Sequence, residues 1–215
     1  MKNTFSPCDY VSRAKDNHPK PLTKEIFESL INGMDVKMNV EKVREHKSDA
    51  EQYKRLLPGI AWQSRFGGQL RADKNAEATG LFCLDVDIHH EDRFKEILQT
   101  KGADAAYKWA EAEAEERAMR WKAMAEAETG VAPPIGGELD IVAIHISPSG
   151  TGVHVVALCQ PYCKSIAEDQ ARLAKLLGTT YDDVCKDAAR IFFVTPKEDW
   201  KYLDLETLFP DSKNH

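Results

Sequence analysis

The segment Gly80-Leu81-Phe82-Cys83-Leu84-Asp85-Val86-Asp87 places the strongest constraint on how this chain folds. Its apolar run opens on a glycine and ends in acids, the pattern of a buried strand that emerges at its last residues. Alternate residues of a strand point to one face, so Asp85 and Asp87 share a face while Leu84 and Val86 turn towards the core. Two more segments have strand character, Leu139 to Ser147 and Val153 to Leu158. The polar turn Ser147-Pro148-Ser149-Gly150-Thr151-Gly152 between them predicts a hairpin.

The flanking segments read mostly as helix. Leu22 to Ile31 repeats its apolar positions at helical spacing after Pro19 and Pro21, with Gly33 as a stop. A second helix is predicted from near Val40 to Leu57, ending at Pro58-Gly59, and Ile60-Ala61-Trp62 then begins a strand. From Ala103 to Glu128 the chain is rich in Ala, Glu, Lys and Arg, with Trp109, Met119, Trp121 and Met124 interspersed. That pattern predicts a long exposed helix with a narrow apolar stripe, inserted between core strands and joined to the next by a loop at Gly130 to Gly137. Ser165 and Glu168 open a helix that Gly178 closes, and Ile191 to Val194 follows Asp182 to Arg190 as a further strand. The expected organisation is a helical region over 1–59 and a core over 60–215, with the helical insertion at about 103–130.

Formal charge is −6, so the chain as a whole offers no electrostatic hold on nucleic acid or an anionic membrane. Any polyanion must meet a local basic patch or a bound metal. The five cysteines are odd in number and scattered, which fits a reducing compartment, and their spacing matches no common structural zinc pattern. Zinc at Cys159, Cys163 and Cys185 is not expected. No signal peptide opens the chain and no apolar run approaches a membrane span, so the expected location is cytoplasmic, without a membrane partner.

Three constellations can carry chemistry. Asp85 and Asp87 at alternate positions suit Mg²⁺ or Mn²⁺, and such an ion pair stabilises the entering and leaving oxygens of phosphoryl transfer; the plain alternative is a solvated strand end. Ser147, Ser149, Gly150 and Gly152 with His154 offer amides, hydroxyls and an imidazole to a phosphate, although hairpins take glycine and serine for conformational reasons alone. The stretch Tyr181 to Arg190 supplies a further acid and a guanidinium for a triphosphate, against which stands an ordinary surface ion pair of Asp187 with Arg190.

The order of these pieces resembles the archaeo-eukaryotic primase superfamily: an acid pair on a strand, a hairpin strand with histidine, then another acid. More closely, the chain is similar to primase-polymerase-like domains of the VirE N-terminal type found in bacterial mobile elements. The likeness runs through Tyr53-Lys54 to Leu57-Pro58, Phe66-Gly67-Gly68, Thr79 to Asp87, the Ser-Pro-Ser-Gly-x-Gly hairpin and Lys186-Asp187-Ala-Ala-Arg190-Ile-Phe-Phe. It implies an α+β fold with an RRM-like antiparallel sheet, a helical amino-terminal region and the inserted helix projecting outward. It also implies a metal-dependent primase or polymerase that makes or extends primers on single-stranded DNA from NTP or dNTP, with a helicase as a possible partner. By the same resemblance Asp85, Asp87 and Asp182 hold the two metals, with Asp187 as the alternative to Asp182. Ser147, Ser149, Gly150, Gly152, His154 and Arg190 would meet the nucleotide. Arg65, Arg71 and Lys74 form a small basic cluster beside Phe66 and Trp62, whose faces could stack on unpaired bases of a template; the equal alternative is a solvated loop with ordinary basic residues. Two other classes stay open: a non-catalytic nucleotide- or nucleic-acid-binding module that recruits a helicase, and a two-metal phosphodiesterase using the same carboxylates.

Overall fold

In the computed structural model, described over residues 6–129 and 139–210, the elements follow one another along the chain. The amino-terminal part holds β1 (Asp9–Val11), β2 (Lys20–Pro21), α1 (Lys24–Ile31), α2 (Met34–Glu45) and α3 (Ala50–Lys54). Next come β3 (Gly59–Ala61), the small hairpin β4 (Ser64–Arg65) with β5 (Glu77–Ala78), β6 (Leu81–Asp87), α4 (Asp92–Lys101) and α5 (Ala103–Thr129). The last part holds β7 (Ile141–Ile146), β8 (Gly152–Leu158), α6 (Ile166–Leu177), β9 (Phe192–Phe193), β10 (Trp200–Leu203) and α7 (Leu205–Leu208). Met1 to Phe5, the proline loop expected at 130–137, and the tail after Pro210 lie outside the described residues.

The fold is α+β, built on antiparallel sheets. The main sheet runs β10-β7-β8-β6 and a second runs β2-β1-β3-β9. The predicted hairpin is β7 and β8: Ser147 N–H donates to Gly152 O and Gly150 N–H to Ser147 O, both at 2.9 Å. Gly150 sits at φ 77°, the left-handed region that glycine enters without steric cost.

The two faces of the main sheet are covered differently, and this positions the site. Phe82, Leu84, Val86, Ile144, Ile146, Val153 and Val155 pack against α4, α5 and α6. On the opposite face Leu81, Cys83, Ala143 and Val156 pack against α1, α2 and the second sheet. Asp85 and Asp87 share this second face, but lie beyond its apolar cover.

Several expectations are corrected. The second amino-terminal helix starts at Met34, so that Gly33, which follows the end of α1 as expected, is also its N-cap, and it breaks at His46 (φ −108°, ψ 61°) before a 3₁₀ turn and α3. The region 1–59 is not purely helical, because β1 pairs with β3; a boundary at residue 59 would cut through that sheet. The strand expected at Ile191–Val194 shortens to β9 and pairs with β3 in the second sheet. The inserted helix does not project outward. Ala106, Ala110, Ala114, Ala118, Trp121 and Ala125 are all buried, and this alanine face lets α5 lie close against the main sheet.

Local signals explain the starts of α1 and α6. Thr23 caps α1 through its hydroxyl, and Ser165 caps α6, its Oγ accepting from Glu168 N–H at 3.3 Å. The return half of the capping box is displaced by one residue, since Glu168 Oε2 accepts from Lys164 N–H.

Candidate functional site

Strand register draws a row of polar side chains across the second face of the main sheet. Asp85 pairs with His154 and His154 with His145, which pairs in turn with Trp200. His154 Nε2 approaches Asp85 Oδ1 at 3.4 Å. His145 lies under Trp200 with ring centres 4.2 Å apart and accepts or donates at Nδ1 to the Thr195 hydroxyl at 3.0 Å.

Burial pushes the Asp85 carboxyl up, but the charge and hydrogen bond of His154, the Cys185 thiol and the Arg190 charge together outweigh it and hold the group below its usual range. Asp87 is pushed up by burial and then by the Asp85 charge. A carboxylate under strain from a like-charged neighbour is what a shared cation relieves.

Burial, then the charge of neighbouring His154, holds His145 well below the ordinary imidazole range. The folded protein therefore refuses a proton that the unfolded chain accepts below about pH 6.5. This contribution is intact above that value and is lost as pH falls from about 6.5 towards the depressed folded value, at up to about 1.4 kcal/mol per pH unit. Urea unfolding of the wild type between about pH 7 and 5 should show this extra slope, and His145→Gln should lack it. Equal slopes would exclude His145 as the group responsible.

Asp182 reaches the site from the loop after α6. Its N–H donates to Asp85 O at 2.9 Å, so the chain beyond α6 is clamped directly to β6. Gln170 on α6 secures the same junction by donating to Cys83 O and Cys185 O. The Cys185 thiol donates to Asp85 Oδ2 at 3.4 Å and to Asp182 Oδ2 at 3.7 Å. Burial and the Asp85 charge push that thiol up, keeping its proton in place.

Among the described residues two groups could hold a metal ion: Asp85 with Asp182 and Cys185, and Asp87 with His89 and His90. Asp187, the alternative acid, is exposed and belongs to neither. Cys185 stands with the acids, whereas Cys159 and Cys163 both feel the Asp169 charge elsewhere.

Asp85, Asp87, Ser147, Ser149, His154 and Arg190 line one cavity of about 150 Å³, together with Lys54. Two nitrogens of this lining, His154 Nδ1 and Arg190 Nε, are buried and have no hydrogen-bond partner among the described residues. The hairpin hydroxyls are linked in a chain, Ser147 Oγ to Ser149 Oγ at 3.0 Å and Ser149 Oγ to Thr151 Oγ1 at 3.1 Å. Gly152 fits because a Cβ there would come within 2.9 Å of Val86 O and 3.1 Å of Asp87 Oδ1. Arg44 on α2 braces the turn by donating to Pro148 O and Ser147 O while pairing with Asp199 at 2.8 Å. No local sequence signal marks Arg44, since its partners lie more than a hundred residues away.

The template cluster is only partly available. Arg65 and Lys74 are exposed, but Arg71 donates to Ala189 O and Ala14 O and so braces backbone. Phe66 and Trp62 are fully buried, at 1% and 0% exposure, so neither can stack on an unpaired base. Among the described residues no helix is long and apolar enough to cross a membrane. Comparison with protein-family models, curated proteins and solved structures gives no match.

Proposed function

We propose that this protein is a metal-dependent nucleotidyltransferase, a primase or primase-polymerase with an RRM-like core, that makes or extends primers on single-stranded DNA from NTP or dNTP. The observation that carries this reading is one cavity lined by both kinds of group the chemistry needs. Asp85 and Asp87 offer negative charge, with Asp182 adjoining Asp85, while Arg190, Lys54, His154 and the serine hairpin offer donors. A protein that only bound phosphates would gain nothing from gathering carboxylates beside them.

Asp85, Asp87 and Asp182 would hold Mg²⁺ or Mn²⁺, oxygen-preferring ions to which carboxylates are suited. Such ions, when bound, lower the cost of deprotonating a 3′-hydroxyl and balance charge on departing pyrophosphate. Arg190 and Lys54 would pair with the triphosphate, and the unpartnered Arg190 Nε would gain an acceptor. Ser147 and Ser149 would orient phosphate oxygens, and His154 would hold Asp85 in place through its Nε2. Arg65 and Lys74 remain for template phosphates.

Labelled NTPs and dNTPs, offered on single-stranded DNA with and without a primer in Mg²⁺ and in Mn²⁺, test this directly. The expected result is metal-dependent product with release of pyrophosphate. Strand scission without pyrophosphate would replace the reading with a two-metal phosphodiesterase. Template or nucleotide binding without either reaction would replace it with a binding module and direct the search to a helicase partner.

A further inference from the structure

Asp87 carries a second set of donors that nucleotide binding does not use. It closes β6, and the chain turns at once through a 3₁₀ turn at Ile88–His90 that brings two imidazoles back to it. His89 Nδ1 lies 3.4 Å from Asp87 Oδ1, and His90 Nδ1 lies 3.8 Å from Asp87 Oδ2. The donor atoms of the three residues all lie within 4.8 Å of one another.

His89 Nδ1 is buried and, among the described residues, has no hydrogen-bond partner, although a carboxylate oxygen faces it. Its ring is held from behind by Phe94, edge to face at 6.2 Å. A buried polar atom left unpaired is costly, so a fixed ring with an idle nitrogen beside a carboxylate points to a missing partner. Asp87 and His90 also border a cavity of about 670 Å³, shared with Glu91, Arg117 and Asp182, which leaves room for water or a ligand at open coordination positions.

We propose that Asp87, His89 and His90 form a binding site for a first-row divalent transition ion, of which Zn²⁺ and Co²⁺ are the representative probes, and that the two imidazoles make this site prefer such an ion to Mg²⁺. Two imidazoles and a carboxylate suit the borderline ions, whereas Mg²⁺ demands an octahedron of oxygens. Three protein ligands with open positions are also the composition of zinc sites that bind a further ligand. The neighbouring Asp85 and Asp182 carboxylates offer hard oxygen donors and so favour the harder cation. The inference rests on the nucleotidyltransferase reading only through Asp87, which both share.

The test uses the untagged full chain, stripped of metal, with Zn²⁺ titrated against a chromophoric chelator and Co²⁺ followed by its visible absorption. His90→Ala removes an exposed ring, and His89→Phe keeps a ring against Phe94 while deleting both nitrogens. Each should weaken Zn²⁺ about 100-fold or more, at or above the loss caused by removing an outer-shell partner. Mg²⁺ in large excess should not displace the ion, and the Co²⁺ spectrum lost in these variants should carry no thiolate charge-transfer band. Unchanged Zn²⁺ affinity in both variants, or full displacement by Mg²⁺, would overturn the site. Histidine-dependent Zn²⁺ binding without nucleotide incorporation would leave this site standing and remove the primase reading; incorporation without such binding would do the reverse.

Discussion

Asp85→Asn should reduce nucleotide incorporation by about a thousandfold or more, the scale on which removal of a group that stabilises transition-state charge is felt. Asparagine keeps the size of the side chain but removes the charge that faces His154, Cys185 and Arg190. Asp182→Asn should act in the same direction, because Asp182 lies in the same group of ligands and is tied to Asp85 through its backbone. Asp187→Asn should leave incorporation within about twofold, the behaviour of an exposed residue away from the features that make a substitution severe. The comparison separates two registers of the same motif, with product formation measured on protein whose thermal unfolding is shown to be cooperative. If Asp187→Asn were the damaging change and Asp182→Asn the silent one, the assignment of the third carboxylate would be reversed.

Trp121→Ala should cost about 3–5 kcal/mol of stability in urea unfolding, the range for deleting a large aromatic side chain from a core. Trp121 is fully buried between α5 and the rest of the apolar layer, and its indole N–H donates to Leu177 O at 3.2 Å, an acceptor the variant would leave behind. Met119, two residues earlier and 47% exposed, provides the control, since Met119→Ala should change stability by about 0.5 kcal/mol or less. A helix standing out from the protein would make both substitutions cheap. A large cost at Trp121 alone is expected only if α5 is a structural layer behind the sheet.

The misjudged helix shows where local patterns mislead. The buried face of α5 is almost all alanine, which contributes little to hydropathy, while the intervening Glu, Lys and Arg dominate the composition. The stripe therefore looks faint in sequence although it is complete in space. Its value lies in smallness, since a row without bulk lets the helix approach the sheet closely. The accessibility of two aromatic rings was misjudged for a related reason: Trp62 and Phe66 stand among basic and glycine residues, a setting that suggests exposure, yet both are buried, and Phe66 N–H donates to the buried Asp9 carboxylate at 2.7 Å.

By itself the sequence determined what depends on near neighbours along the chain. The two-residue alternation of β6 put Asp85 and Asp87 on one face, the Ser-Pro-Ser-Gly-x-Gly run made the β7–β8 hairpin, and Thr23 and Ser165 set their helix starts. Each follows from backbone geometry and the reach of one side chain over a few residues. Tertiary structure alone decided which face buried α5, that β9 would pair with β3, and that Arg44 would brace the hairpin. These pairings join residues far apart in the chain, and they form because packing both faces of one sheet brings those segments together, which no local spacing encodes.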